Sequence, residues 1–338
     1  MGNFEKKYYA SWINDKAILK ESSSGGIFTA IASYVIEQKG LVYGVTQDEK
    51  TLICYHIEIN NIDDLKVIRK SKYYQSDSSR CFSEISKRLN EGRIVLFSGT
   101  SCQIHGLKLY LDMKNINKKS LITVDVLCHG VSNVNIYKKY ILSCEKRFGK
   151  KIIMSEFRTK DLMWYGSGTS MTLYFEDGSK KILRHDEDSY YLAFNENLIL
   201  RPSCYHCPYS GNDRYSDFTV GDFWGARIED FTQSELNDGI GITVINSKTA
   251  NIIWNSLLRN DRISAREVPK EYGERSNLSF CMPQSEHPRR KFFFDRMDHV
   301  DFDVLIRRIM FKDWLKGRVK TAIGRKNVMR IKWIMNRK

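Results

Sequence analysis

RPSCYHCPYSGNDRYSDFTVGDFWG, residues 201–225, places Cys204 and Cys207 with two residues between them and Pro208 directly after. It then runs through a polar loop into a strand-like segment, 217–220, and closes on Gly221, Asp222, Phe223, Trp224 and Gly225. A tight turn carries both sulfurs of such a pair to one side, which suits a metal or cluster ligand pair better than two core side chains. Two thiolates leave a four-coordinate centre half built, so the remaining ligands must come from elsewhere in the chain.

Upstream, 93–97 (RIVLF) predicts a buried strand ending at Ser98-Gly99-Thr100-Ser101-Cys102-Gln103, with a helix over 104–111. The segment 121–127 (LITVDVL) repeats the arrangement and ends at Cys128-His129-Gly130. Strand, glycine-containing turn and helix is the geometry in which α/β folds present ligand-contacting groups at a strand's carboxyl end. Strands joined by a helical crossover are commonly neighbours, so Cys102 and Cys128 are expected side by side. Cys54 falls inside a predicted strand, while Cys81, Cys144 and Cys281 have no partner at ligand spacing; these four read as inert thiols. For Cys102, Cys128, Cys204 and Cys207, spacing supports a structural zinc site and a [4Fe–4S] cluster equally, with a bare redox CxxC third. The redox motif ranks lower because Cys204 follows Arg-Pro-Ser, where a thioredoxin-like pair would open a helix.

Composition bounds the class. The chain has 338 residues, 42% hydrophobic and 28% charged, which fits a soluble globular protein with one large domain or two smaller ones. No segment has the length of a signal peptide core or a membrane span, so a cytoplasmic location is expected. In that compartment eight cysteines read as thiols and ligands, not as a disulfide framework. The net charge of +14 is concentrated after residue 305, where twelve Lys or Arg face one acidic residue. The body is therefore nearly balanced and does not have the charge of a nucleic-acid-binding surface. Within 303–338, Val304, Leu305, Ile309, Met310, Trp314 and Leu315, then Ile331, Trp333, Ile334 and Met335, alternate with basic residues. That pattern predicts either a helix lying on an anionic membrane surface, at its inner face, or a basic helix docked on the body or a partner.

Three further segments carry polar chemistry. Glu21-Ser22-Ser23-Ser24-Gly25-Gly26 opens a predicted helix in which Ile27, Ala30, Ile31, Tyr34 and Val35 share a face and Gly40 marks the stop. Such an opening suits an anion at the positive end of the helix dipole, although a plain Ser-capped helix is the commoner outcome. SKYYQSD, 71–77, combines two rings and a lysine, either to grip a planar ring and a phosphate or as a solvated link. FRTKDLMWYGSG, 157–168, with Arg158, Lys160 and Trp164, reads as a substrate rim or as a loop. Strands are also predicted over 7–12, 41–46, 52–59 and 241–246, a hairpin turn at Asp177-Gly178, and an irregular stretch over 266–290.

SSSGGIFTA, SKYYQSD, VLFSGTSCQIHGL, DVLCHGV, EFRTKD, RPSCYHCPY and SDFTVGDFWG, in this order and spacing across residues 8–295, resemble the coenzyme F420 hydrogenase/dehydrogenase beta-subunit family. The similarity is to its branch in bacterial polysaccharide gene clusters; the family also holds flavin-dependent deazaflavin reductases, formate-dehydrogenase subunits and divinyl chlorophyllide vinyl reductases. The resemblance implies FAD beside one [4Fe–4S] cluster, with the four thiolates on Cys102, Cys128, Cys204 and Cys207. It places Ser23, Ser24, Gly25, Gly26, Ser71, Lys72 and Tyr73 at the flavin, which reverses the local preference for plain readings of those segments. Two departures loosen loops without removing a ligand: Ser101 stands where relatives carry Pro, and Asn133 follows Ser132 where they read Val-Pro-Ser. No cysteine precedes Cys54, so the ferredoxin-like module of many relatives has no counterpart here, and a separate electron donor, a ferredoxin or a reduced coenzyme, is implied.

The expected fold is α/β (mixed α+β), mixed sheets flanked by helices with a basic helical tail. Its expected parts are 1–95 for flavin, 96–265 for iron–sulfur and flavin, and 266–338 for the irregular segment and tail. The expected function is a flavin-dependent iron–sulfur oxidoreductase acting on an intermediate of polysaccharide biosynthesis. The alternatives are an electron-transfer subunit with no substrate of its own and a zinc-stabilised, non-redox binding protein. His129 and His206 are candidates for hydrogen bonds to the centre, and no acid/base residue stands out.

Overall fold

The computed structural model describes residues 4–161, 170–226, 230–274 and 277–323. Its strands are β1 (Lys7–Ile13), β2 (Leu41–Gln47), β3 (Cys54–Ile59), β4 (Ser76–Asp77), β5 (Val95–Thr100), β6 (Leu121–Val126), β7 (Ile152–Thr159), β8 (Ser170–Phe175), β9 (Lys180–Arg184), β10 (Phe218–Asp222), β11 (Gly241–Ile245) and β12 (Ile263–Val268). The α-helices are α1 (Lys16–Lys20), α2 (Ile27–Glu37), α3 (Ser79–Asn90), α4 (Ser101–Met113), α5 (Val134–Phe148), α6 (Ser189–Asn195), α7 (Pro202–Tyr205), α8 (Gln233–Asp238), α9 (Lys248–Arg259), α10 (Lys270–Glu274), α11 (Arg290–Phe294), α12 (Phe302–Ile309) and α13 (Phe311–Ile323). The mixed α/β class expected from the sequence is what the chain forms. Contacts divide it into two compact units, Met1–His129 with His206–Gln284, and Gly130–Tyr205 with Ser285–Lys338. The linear parts 1–95, 96–265 and 266–338 are cut at other positions, because each unit draws on two separate stretches of chain.

The first unit is built on a nine-stranded sheet in the order β12-β1-β11-β10-β6-β5-β2-β3-β4. The centre is parallel: β2 pairs with β5, β5 with β6 and β6 with β10. Alternate residues of these strands enter two different cores. Val42, Leu96, Ile122 and Val124 join a cluster with Ile31 and Val35 of α2 and Ile253 and Trp254 of α9. Leu41, Tyr43, Val95, Phe97 and Leu121 join the other, with Ile85 of α3 and Ile104 and Leu107 of α4. Burial on both faces is why RIVLF and LITVDVL read as continuous apolar runs rather than alternating ones. Since β11 is antiparallel to both β1 and β10, β1 runs in the same direction as β2, β5, β6 and β10. The carboxyl ends of all five strands therefore lie along one edge of the sheet.

The stretch expected to be irregular instead contains α10 and the last three residues of β12, an edge strand antiparallel to β1. Its sequence ISAREV buries only Ile263, so it lacks the apolar signal of the central strands. Edge strands need to cover only one side, and a pattern search misses them for that reason.

The second unit carries the antiparallel sheet β7-β8-β9. The predicted Asp177-Gly178 hairpin turn is present: Gly178 has φ +79°, and Asp177 Oδ1 accepts from the Ser179 N–H at 3.0 Å. Its core is aromatic, with Tyr137, Tyr140, Phe157, Tyr190 and Phe302 in mutual ring contact. Leu305, Ile309 and Met310, for which the sequence left open a membrane-facing stripe or a face docked on the body, are buried in this core, while Val304 and Leu315 are exposed. The apolar period of 303–310 is thus the inner face of α12, which packs on α5 and α6. The ring of Trp314 lies beneath the guanidinium groups of Arg307 and Arg318. Ile331, Trp333, Ile334 and Met335 lie outside the described residues, as does Trp164. Among the described residues no helix is long and apolar enough to cross a membrane.

Asp188 caps α6, accepting from the Tyr191 N–H at 2.9 Å and from Tyr140 Oη at 2.7 Å. Burial raises its carboxyl from the ordinary 3.8 to about 7, Asp303 adding to the rise, while those two hydrogen bonds and Arg147 oppose it. The folded state therefore holds a proton that the unfolded chain releases. The stabilising contribution is complete below the ordinary carboxylate range and is lost as pH rises towards 7. Calorimetry should show the second unit losing up to about 1.4 kcal/mol per pH unit between roughly pH 4 and 7. Asp188→Asn, which keeps the cap, should flatten that slope.

Candidate functional site

The carboxyl edge of the first unit's sheet collects most of the residues singled out from the sequence. Thr100 at the end of β5 pairs with Val126 at the end of β6, so Cys102 and Cys128 each lie two residues beyond a paired position. They follow neighbouring strands, as expected. Cys102 is nevertheless the second residue of α4 and not part of a turn, because a capping box starts the helix at Ser101. Gln103 Oε1 accepts from the Thr100 N–H at 3.0 Å, and Thr100 Oγ1 stands 3.1 Å from Cys102 Sγ. Cys102 is exposed, and Cys128, Cys204 and Cys207 are half-buried. Leu127 extends the ladder by donating to the Val220 carbonyl at 2.8 Å, and any side chain at Gly221 would run into Leu127.

Cys207 belongs to the first unit and Cys204 to the second, where it lies in the single helical turn α7. Gly130 packs against it: a Cβ there would stand 3.4 Å from Cys204 Cβ and 2.8 Å from Leu200 Cδ1, at φ +138°. Only glycine fits the Cys-His-Gly motif at that point. No three His, Cys, Asp or Glu side chains of the described residues converge on one point at metal-ligand distance. The other buried thiols differ in kind. Burial pushes Cys54 up to about 11 and Cys81 up to about 12, and raises Cys144 as well, so all three stay protonated.

The serine–glycine turn reaches the same edge. Gly25 touches bare backbone: a Cβ there would lie 2.2 Å from the Ser11 carbonyl oxygen and 2.8 Å from the Gly241 nitrogen. Gly26, at φ +75°, is the N-cap of α2, and no side chain caps that helix. Ser24 Oγ donates to the Ile240 carbonyl at 3.2 Å. Ser23 Oγ accepts from the Ser71 N–H at 2.9 Å and lies 3.3 Å from Ser71 Oγ. The two segments that sequence alone could not join are therefore in direct contact. Lys72 folds back on its own chain, Nζ donating to the Arg69 and Lys70 carbonyls at 2.7 and 3.3 Å. Tyr73 is half-buried beside it.

Just before this segment, Arg69 has a buried Nε with no hydrogen-bond partner among the described residues. Burial lowers its guanidinium from the ordinary value, against Glu21 and Asp15. At the far end, Ser76 Oγ accepts from Gln103 Nε2 at 2.9 Å. SKYYQSD thus spans from the serine–glycine turn to the first turn of α4, where Cys102 sits.

Sequence reading passed over a charged network beneath the cysteine loops. Asp125 and Arg214 form an ion pair at 3.3 Å with side-chain exposures of 0% and 3%. A lone Asp inside the apolar run LITVDVL was the available signal, since an unpaired buried carboxylate is prohibitive. In the second unit, Arg158 of FRTKD is buried at φ +64°, where β7 bulges against β8. A bulge redirects a side chain out of the strand's alternation. Residues 162–168 of that expected rim lie outside the described set.

Comparison with known proteins bears on what this edge holds. Residues 92–271 match the family model for the C-terminal part of the coenzyme F420 hydrogenase/dehydrogenase beta subunit, and residues 8–82 match the model for its N-terminal part. Among solved structures, a chain of the xenon-derivatised F420-reducing [NiFe] hydrogenase complex from Methanosarcina barkeri is similar at 18% identity and a TM-score of 0.56. The alignment covers 88% of this chain and 90% of that one, and at such identity it speaks for the fold. No curated protein matches.

The contact at Gly25 is with main chain, which has no room to move aside. Gly25→Ala is expected to cost about 3 kcal/mol or more in a denaturation experiment. Ser23→Ala removes one hydrogen bond and should cost about 1 kcal/mol.

Proposed function

Because the chain belongs to the coenzyme F420 hydrogenase/dehydrogenase beta-subunit family, we propose that it is an oxidoreductase dependent on FAD and one [4Fe–4S] cluster. The observation that carries this reading is the contact of Ser23 with Ser71 on the edge that also bears Cys102 and Cys128. The residues suit both groups. An uncapped helix start, a glycine pressed on backbone and a buried arginine nitrogen with no partner among the described residues make a cradle for an anionic cofactor. Of the five thiols that are half-buried or exposed, Cys102, Cys128, Cys204 and Cys207 follow the strand ends and the Cys-x-x-Cys turn, and together they make a soft all-sulfur donor set of the kind that binds an iron–sulfur cluster or zinc; the family decides for the cluster in this reading.

In this reading Cys102, Cys128, Cys204 and Cys207 hold the cluster, and Ser23, Ser24, Gly25, Gly26, Ser71, Lys72 and Tyr73 hold the flavin. When bound, a flavin exchanges one or two electrons and a cluster exchanges one, so the pair couples hydride chemistry to single-electron donors. The first turn of α2 binds the anionic part of the cofactor through main-chain N–H groups and the helix dipole. Arg69 and Lys72 supply the compensating positive charge, and the Tyr73 ring offers an apolar face to a planar ring. His129 and His206, each next to one of these cysteines in the chain, are the candidates for hydrogen bonds that tune the centre.

The substrate in this proposal is a saccharide or lipid-linked intermediate of polysaccharide biosynthesis, supported by the branch that the sequence motifs resemble. Electrons come from a ferredoxin or a reduced coenzyme. A second reading, an electron-transfer subunit without its own substrate, is favoured by one observation: the similar solved chain is part of a hydrogenase complex. Isolation with a larger enzyme would distinguish it.

Anaerobic purification should give a coloured protein with FAD and about four iron and four sulfide per chain. Alanine at Cys102, Cys128, Cys204 or Cys207 should abolish iron retention, while Cys81→Ala and Cys144→Ala should leave it intact. Stoichiometric zinc without flavin would replace this reading with that of a zinc-stabilised binding protein.

A further inference from the structure

Asp125 lies on β6, three residues before Cys128, and Arg214 lies seven residues after Cys207. Arg214 Nη1 donates to Ser101 Oγ at 2.9 Å and to Asp125 Oδ2 at 3.3 Å, and Nη2 donates to the Ser279 carbonyl at 3.0 Å. Ser101 Oγ in turn donates to Asp125 Oδ2, and Ser216 Oγ donates to Asp125 Oδ1 at 2.8 Å. The Phe280 ring lies 5.7 Å from the guanidinium carbon, and Arg214 Nε has no hydrogen-bond partner among the described residues. One residue beyond Ser216, Asp217 Oδ2 accepts from the Thr123 N–H at 2.9 Å and from Thr123 Oγ1 at 2.7 Å. The loop that starts at Cys207 is therefore anchored at its far end to β6 and to Ser101, the residue that precedes Cys102.

Stability alone does not explain a pair of this kind. Two buried charges lose their hydration, and apolar residues of similar volume commonly do as well or better. What a guanidinium adds is a rigid fork that fixes the separation of the groups it joins. Here the fork joins the first turn of α4, β6 and the segment at Ser279 to the loop 207–217. Ser101, which stands where the resembled family carries proline, is one of its partners.

We propose that Asp125 and Arg214 are positioning residues that hold the loops of Cys102, Cys128 and Cys207 in register before any cluster binds. The proposal rests on the reading of those cysteines as cluster ligands. It assigns the pair no contact with the cluster and no part in the chemistry.

The test compares the full chain with Arg214→Lys and with the double variant Asp125→Leu/Arg214→Met. Arg214→Lys keeps the charge without the fork; the double variant keeps apolar bulk without charge. The double variant should melt close to the wild type. In the apoprotein, amide exchange over 207–217 should rise about tenfold in both variants while the β2–β5 ladder stays protected. Anaerobic reconstitution should then load iron more slowly in both variants, and the cluster's reduction potential should shift. Wild-type exchange over 207–217 in the double variant would overturn the proposal, as would full rescue by Arg214→Lys. Failure of the wild type itself to take up iron or flavin, with the exchange difference intact, would remove the cluster reading while the positioning role stands. Iron uptake and potential unchanged in variants whose loop has loosened would show that loop register does not govern the site.

Discussion

Everything on the first unit's sheet edge depends on the parallel run β2-β5-β6-β10 being buried on both faces. A parallel ladder sends every carboxyl end to the same side and forces each connection to cross back over a face. Two cores, one beneath α2 and α9 and the other beneath α3 and α4, hold that ladder flat enough for Thr100 and Val126 to end level. The cysteines after those strands therefore follow neighbouring strand ends as a result of topology.

Backbone proximity, more than side-chain chemistry, shapes the serine–glycine turn. Ser11 and Gly241 are paired across β1 and β11, and Gly25 is pressed against both. The turn is seated on main chain, and this leaves Ser23 to meet Ser71. The hydrogen bonds of Gln103 to Thr100 and Ser76 link the same segment to α4. A chain of short contacts thus connects two helix starts that the sequence separates by about seventy residues.

The second unit follows different rules. Its antiparallel sheet is small, and its core is filled by aromatic rings whose hydroxyls need partners, which brings polar groups inside. Asp188 and Asp303 are both buried there, with Ser143, Ser189 and Tyr140 as hydrogen-bond partners. The stretch from residue 302 supplies the apolar face of α12 to this core, with Arg307 half-buried and Arg308 exposed in the last turn of that packed helix.

The sequence by itself determined the central strands and their order along the chain. Apolar runs such as RIVLF need no tertiary context to be read as buried strands, whereas the spacing of Cys-x-x-Cys-Pro left zinc, a cluster and a redox pair open. The Asp177-Gly178 turn was equally legible, since positive φ at the second position calls for glycine. Contacts between residues far apart in sequence and modest in hydrophobicity were decided only by the tertiary structure. ISAREV becomes a strand because β1 offers it an edge. Leu305 and Ile309 face a core because α5 and α6 are there to receive them, which a basic amphipathic pattern cannot disclose. Ser23 meets Ser71, and Asp125 meets Arg214, through the fold alone; no period or spacing encodes a hydrogen bond across forty-eight or eighty-nine residues.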